Sequence, residues 1–257
     1  MSNLAQAVYV EALKARRSRV SVFTALGIML LPLAGGFFMI VLKDPEMARR
    51  VGLISAKAHL VVGVADWPSY LGFLTQAVAG GGIVLFGLIV SWVFGREYSD
   101  RTVKDLLALP TSRSSIVLAK FVVVAVWSAA LTVLICLAGL GIGAAIQLPG
   151  APTPVLLQGM SKILLAGCMA IALVTPIAFF ASAGRGYLAP IGFVFLISLL
   201  TQVLAAAGWG EFFPWAIPAL YSQGAVLGTV SYAIVVLTSI AGIAGTLIWW
   251  EWADQSR

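Results

Sequence analysis

The chain has 257 residues, of which 61% are hydrophobic and only 10% are charged, with 16 Lys and Arg against 10 Asp and Glu. The mean hydropathy is +1.02. Soluble domains carry about 25% charged residues, so these charges are too few to skin a soluble core, and the same apolar content excludes disorder. The chain is read as an integral membrane protein.

Residues 3–19 open it as a helix. Ala5, Val8, Tyr9, Ala12 and Leu13 recur at helical spacing and define an apolar face, and Lys14, Arg16, Arg17 and Arg19 follow. Such a helix lies at a membrane interface, and it is also placed to touch a cytoplasmic partner. Uncharged runs then extend from Val20 to Leu42, Trp67 to Gly95, Phe121 to Ser161, Ile163 to Gly184, Gly186 to Gly210 and Phe212 to Trp250. A span needs roughly 20 apolar residues, so each run holds one, at about 21–42, 72–95, 116–147, 158–183, 187–207 and 226–250. The first apolar run is longer than the roughly 7–15 residues of a signal-peptide core, and an uncleaved helix is expected.

Lys and Arg in short loops set the orientation. With both termini cytoplasmic, the inner segments carry Lys14, Arg16, Arg17, Arg19, Arg96, Arg101, Lys104, Arg113, Lys120, Arg185 and Arg257, against Lys43, Arg49, Arg50, Lys57 and Lys162 outside. The first outer loop, 43–71, holds most of the outer positives. It is expected to form an interfacial helix near 46–64, with Trp67 and Tyr70 at the membrane surface. Trp92 and Tyr98, Trp209 and Trp215, and Trp249, Trp250 and Trp252 fall at span ends, where aromatic belts are expected.

The loop between the second and third spans is the most informative segment. Thr102 with Asp105 has the spacing of a capping box, and Pro110 stops the helix that follows, leaving a short one at about 103–109. Ser112 is placed to cap the third span. Val103, Leu106 and Leu107 share one face of the short helix, which can rest on the bilayer or dock in a groove of a soluble partner.

Other motifs point away from chemistry within this chain. No G-x-x-x-x-G-K-[ST] phosphate loop occurs. Gly80-Gly81-Gly82 and Gly139-x-Gly141-x-Gly143 lie inside spans and read as small-residue packing faces. His59 is the only histidine, which leaves no metal constellation. Cys136 and Cys168 fall inside spans as free thiols. The six spans are read as free of ionisable residues, so proton- or sodium-coupled transport has no evident means of coupling. Gln76 and Gln202 can line a path at a dimer interface or hydrogen-bond between helices. Pro176 should kink the fourth span, Pro190 is tolerated in the first turn of the fifth, and the segment from Phe212 to Leu220 is too broken to span.

Arg96-Glu97-Tyr98, followed by Thr102, Leu106-Leu107, Pro110, Ser112-Arg113 and Lys120, resembles the cytoplasmic signature of ABC-2 type transporter permeases, including bacitracin- and sodium-exporter-like members. Arg101 departs from it, because many members have Gly there. The resemblance implies an all-α permease with six spans and cytoplasmic termini in a bacterial plasma membrane. By it, 97–113 is a coupling region that meets a separate cytoplasmic ATPase through Glu97, Tyr98, Asp100, Arg101, Thr102, Leu106, Leu107, Pro110 and Arg113. Residues 3–19 correspond to the family's connecting helix, and short re-entrant helices are expected between the fifth and sixth spans. Two ATPase chains and a second permease copy or paralogue are the implied partners, with the bilayer and no nucleic acid. No cofactor is expected on this chain; ATP and Mg would sit on the partner. An ion-coupled carrier and a non-transporting membrane anchor are the alternatives.

Overall fold

The computed structural model describes residues 3–44, 64–108 and 110–252. The described residues form helices and turns, with no strand among them. Helix α1 runs Asn3–Arg17 and α2 Arg19–Lys43. Next come α3, Trp67–Ser99, the short α4, Val103–Leu107, and α5, Arg113–Ala145. The fourth span is two helices, α6 at Thr153–Leu173 and α7 at Thr175–Ala183. Helix α8 runs Leu188–Ala206, α9 Ile217–Ser222 and α10 Thr229–Trp252.

Six of these segments are long and apolar enough to cross a membrane: α2, α3, α5, α6 with α7, α8 and α10. Their starts are set by local chemistry. The Ser18 hydroxyl accepts from Val20 N at 3.0 Å, the Asp66 carboxylate from Ser69 N at 2.9 Å and the Ser112 hydroxyl from Ser115 N at 3.3 Å, each capping an orphan amide of a first turn. The second span therefore begins at Trp67 rather than 72, and the third at Arg113 rather than 116. The fourth breaks at Val174 because Pro176 has no N–H to bond back to Ala172. The Thr175 hydroxyl donates to that freed Ala172 carbonyl at 2.8 Å.

Helix α3 is the central post. It packs on α6, α7, α5, α2 and α8, while α10 lies along α7 and α2 along α5. Close approach depends on the glycines: a Cβ at Gly139 would strike Leu74, one at Gly143 would strike Trp67, and one at Gly242 would meet the backbone of Thr175 and Pro176. The small-residue faces predicted from sequence are thus used at Gly139, Gly143 and Gly82. Gly80 and Gly141 meet no neighbour within the chain.

Several aromatic residues placed at the membrane surface by sequence are core residues instead. Trp67 and Tyr70 are buried, and the Tyr70 hydroxyl donates to the Pro32 carbonyl at 3.0 Å. Trp250 is buried and its indole N–H donates to Ser182 Oγ at 2.9 Å. Trp252, 84% exposed, is free to sit at an interface. The interfacial helix expected near 46–64, and His59 with it, falls almost entirely outside the described residues.

Candidate functional site

The loop after α3, the start of α5, the turn between α7 and α8 and the end of α10 meet at one end of the bundle. Gly95 lies against Gly186 and Tyr187. The Arg113 guanidinium donates to the carbonyls of Trp250 at 3.1 Å and Glu251 at 3.4 Å, covering the exposed C-terminal carbonyls of α10 with positive charge.

Helix α4 bridges α3 and α5 here, and the sequence placed it within two residues. Its capping differs from the expectation. Thr102 makes no side-chain cap; its backbone N–H donates instead to the Glu97 carbonyl at 2.9 Å and its carbonyl accepts from Leu106 N at 3.1 Å. Arg101 has φ 59, in the left-handed region that glycine adopts freely and other residues only at a cost. A glycine here, as in the signature that the motif resembles, would take that turn without the cost. Asp100, Arg101, Thr102, Lys104, Asp105 and Pro110 are exposed, and Val103 is buried. Leu106 is half-buried and lines, with Gln6, Ala7, Val10, Glu11, Thr111 and Ile116, a groove of about 180 Å3 between α4 and α1. The side chain of Leu107 lies outside the described residues.

Glu97 is not part of the exposed surface. It is 2% exposed, and Lys120, in the second turn of α5, is fully buried. The Lys120 ammonium lies 2.9 Å from Glu97 Oε1 and 3.2 Å from Glu11 Oε2, and it donates to the Val93 carbonyl at 3.0 Å. Lys14 lies 2.7 Å from Glu11 Oε1 and 3.2 Å from Glu97 Oε1. Arg96, stacked 4.6 Å over the Trp92 ring, reaches Glu97 Oε1 at 3.4 Å. Two carboxylates and three cations thus join α1, α3 and α5. Glu97 Oε2 is buried without a hydrogen-bond partner among the described residues. The reading of spans free of ionisable residues fails: Lys120 falls within 116–147 and Lys162 within 158–183. Glu97 ends α3, Lys120 lies inside α5 and Lys162 inside α6; of these Glu97 and Lys120 are buried. Each buried charge is tolerated because the others neutralise it, as burial requires.

The network also sets the rotation of α1: Glu11 and Ala15 are buried and Tyr9 is 64% exposed. Of the apolar face read for an interfacial helix, Ala5, Tyr9 and Ala12 are exposed and Val8 and Leu13 half-buried. Sequence reasoning missed the ion-pairing roles of Glu11 and Lys14; the signal available was an acid set one turn before three basic residues in one short helix. Tyr98 stacks edge-on with Trp250, ring centroids 6.3 Å apart.

Gln202 and Gln76 are exposed on α8 and α3. Gln202 lines a cavity of about 260 Å3 with Gly80, Gly81, Ser198, Thr201, Trp215 and Ala219; Gln76 is outside that lining. Two 3-10 turns, Gly210–Phe212 and Pro214–Ala216, and α9 fold this segment back against α3, α6 and α8. The Trp215 indole N–H donates to the Leu173 carbonyl at 2.9 Å, at the break between α6 and α7. Protein thus covers this irregular backbone, as a membrane interior would require of it. Trp215 is therefore a packed residue rather than a belt residue. Cys136 and Cys168 are both free.

A bundle with six candidate spans, a broken helical segment packed back on it, a weakly polar wall cavity and a charged end bridged by a short helix has the build of a multi-pass transport permease. The comparison of sequences gives the family. The chain belongs to the ABC-2 family of transporter proteins, whose model matches residues 7–201. It is similar to the bacitracin transport permease protein of Bacillus licheniformis, 29% identical over 177 residues that cover 67% of this chain and 85% of that one. The chain is the membrane permease subunit of an ABC transporter, and membership in that family implies a partner subunit that binds ATP.

Proposed function

We propose that the chain is the export permease of a bacterial plasma-membrane ABC system, and that ATP-driven motion enters it through α4 and α1. The carrying observation is the charged end. There an exposed five-residue helix, joined to α3 and α5 by short turns, borders a groove whose other wall is α1, and α1 is fastened to α3 and α5 by the Glu11–Lys14–Glu97–Lys120 network. A push on α4 or α1 is then a push on two long helices at once.

On this reading the chain's ends face the cytoplasm. Arg96, Arg101, Lys104, Arg113 and Arg185 cluster at that end, whereas the opposite end carries Lys43 and Lys162 among the described residues, in keeping with the positive-inside bias. Asp100, Arg101, Thr102, Leu106 and Pro110 are the contact residues. Glu97, Tyr98 and Arg113 act from within, by holding α4 to the bundle. Two ATPase subunits, carrying the ATP and Mg, pair with two permease copies or with one copy and a paralogue. The exposed α3 and α8 face with Gly80, Gln76 and Gln202 is the side on which the second permease packs and the path opens. The weakly polar cavity and the relative's transport of bacitracin favour an amphipathic cargo such as a peptide antibiotic.

The test is co-expression with the cognate ABC ATPase, followed by pull-down and ATP turnover. Leu106→Asp, with Val103–Leu107 replaced by a Gly-Ser segment as a second variant, should abolish stimulation of ATP hydrolysis while the permease still reaches the membrane. Unchanged binding and turnover in both variants would refute coupling through α4.

A further inference from the structure

Helix α1 does not seal against α5. Between them runs a groove of about 230 Å3, walled by Val8, Ala12 and Ala15 on one side and Val122, Val126 and Trp127 on the other, with no charged residue in its lining. The ion network fixes this arrangement: with Glu11 and Lys14 turned to Glu97 and Lys120, the neighbouring face that carries Val8 and Ala12 is turned to the groove. One turn beyond Ala12 the chemistry changes. Arg16, Arg17 and Arg19 are all exposed, and among the described residues none of them has a carboxylate within ion-pair distance. An apolar slot thus ends beside three unmatched cations in a membrane protein.

We propose that this groove holds one acyl chain of an anionic phospholipid whose phosphate rests on Arg16, Arg17 and Arg19. The charge complementarity selects this occupant. A zwitterionic lipid leaves the three cations uncompensated, and the uncharged lining offers a protein partner no polar anchor. The bound lipid fills the space between α1 and α5 and adds to the hold of the ion network on α1. Each cationic side chain close to an anionic lipid favours binding by about fivefold.

Native mass spectrometry of the purified full chain, exposed to mixed micelles of dioleoyl-phosphatidylglycerol and dioleoyl-phosphatidylcholine in equal amounts, reads this directly. The expected result is one tightly held phosphatidylglycerol more than in the double variant Arg16→Gln/Arg19→Gln, whose preference should fall roughly 25-fold at that per-charge value. Ala12→Phe, which fills the slot and keeps every arginine, should lose the same lipid. Because Ala12→Phe can displace α1, Ala130→Phe fills the slot from α5, and resistance of α1 to protease verifies that the helix is docked. Retention unchanged by Ala130→Phe would show headgroup attraction without a groove, and equal retention of the two lipids by the wild type would show no recognition of charge; either overturns the site. Neither outcome depends on coupling through α4.

Discussion

Replacing Lys120 by Met tests what fastens α1 to the bundle. Met has nearly the same length, so the volume at this fully buried position is kept and the charge is removed. The ammonium contributes to two carboxylates and one carbonyl, at 2.9, 3.2 and 3.0 Å. Removing one member of a buried ion pair costs about 3–5 kcal/mol, because the other charge stays buried. Here Lys14 still touches both carboxylates and Arg96 still reaches Glu97, so the cost belongs at the low end, about 3 kcal/mol. For a chain of this size that lowers the apparent unfolding temperature in detergent by roughly 6–12 °C. Glu97→Gln in the Lys120→Met background should cost less than the two single changes added, by at least about 1 kcal/mol, since the pair is then already broken. Limited proteolysis supplies a local readout: α1 should be cut faster in Lys120→Met. A shift below about 2 °C, with α1 cleaved at the wild-type rate, would refute the idea that this network docks the helix.

Other outcomes follow from single contacts. Gly242→Ala should lower stability by about 1–3 kcal/mol, seen as loss of folded protein by size exclusion, because its Cβ would meet backbone of Thr175 and Pro176 that cannot rotate away. Arg101→Gly should raise the unfolding temperature by a few degrees, since about 1 kcal/mol of left-handed strain is relieved; a fall would show that the arginine side chain matters more than its backbone. Tyr70→Phe removes the bond to the Pro32 carbonyl and should cost about 0.6 kcal/mol, the average for hydrogen bonds between membrane helices, measurable in a thermal shift series. A cysteine at exposed Arg101 should label with impermeant maleimide only in inside-out vesicles, and one at exposed Gly150 only in right-side-out vesicles; the reverse pattern would invert the orientation proposed above.

The spans were legible because hydrocarbon tolerates few charges, so the uncharged runs mark them without any knowledge of neighbours. Helix α4 and the Ser112 cap were legible because caps and proline stops act over three or four residues. The break at Pro176 follows from one missing N–H. The reading went astray where long-range contacts decide. Thr102 and Asp105 have capping-box spacing, yet the turn through left-handed Arg101 brings Thr102 under the Glu97 carbonyl and the box does not form. Trp67, Tyr70, Trp215 and Trp250 carry the composition of a belt, and a glycine, two carbonyls and the Ser182 hydroxyl on distant helices draw them inside.

By itself the sequence determined that the chain lives in a bilayer, how many times it crosses and where its charges gather, since these depend on local composition against the solvent. The 97–113 motif added the family. Only the tertiary structure decided which of those charges are buried. Glu11, Glu97 and Lys120 are far apart along the chain, and each alone argues for an exposed, solvated position. Their energy changes sign when α1, α3 and α5 bring both carboxylates within 3.2 Å of the Lys120 ammonium, because a charge that is prohibitive alone in a low-dielectric interior becomes tolerable beside its counter-charge. That pairing turned Glu97 from a surface contact into a strut, and fixed which side of α1 meets the bundle.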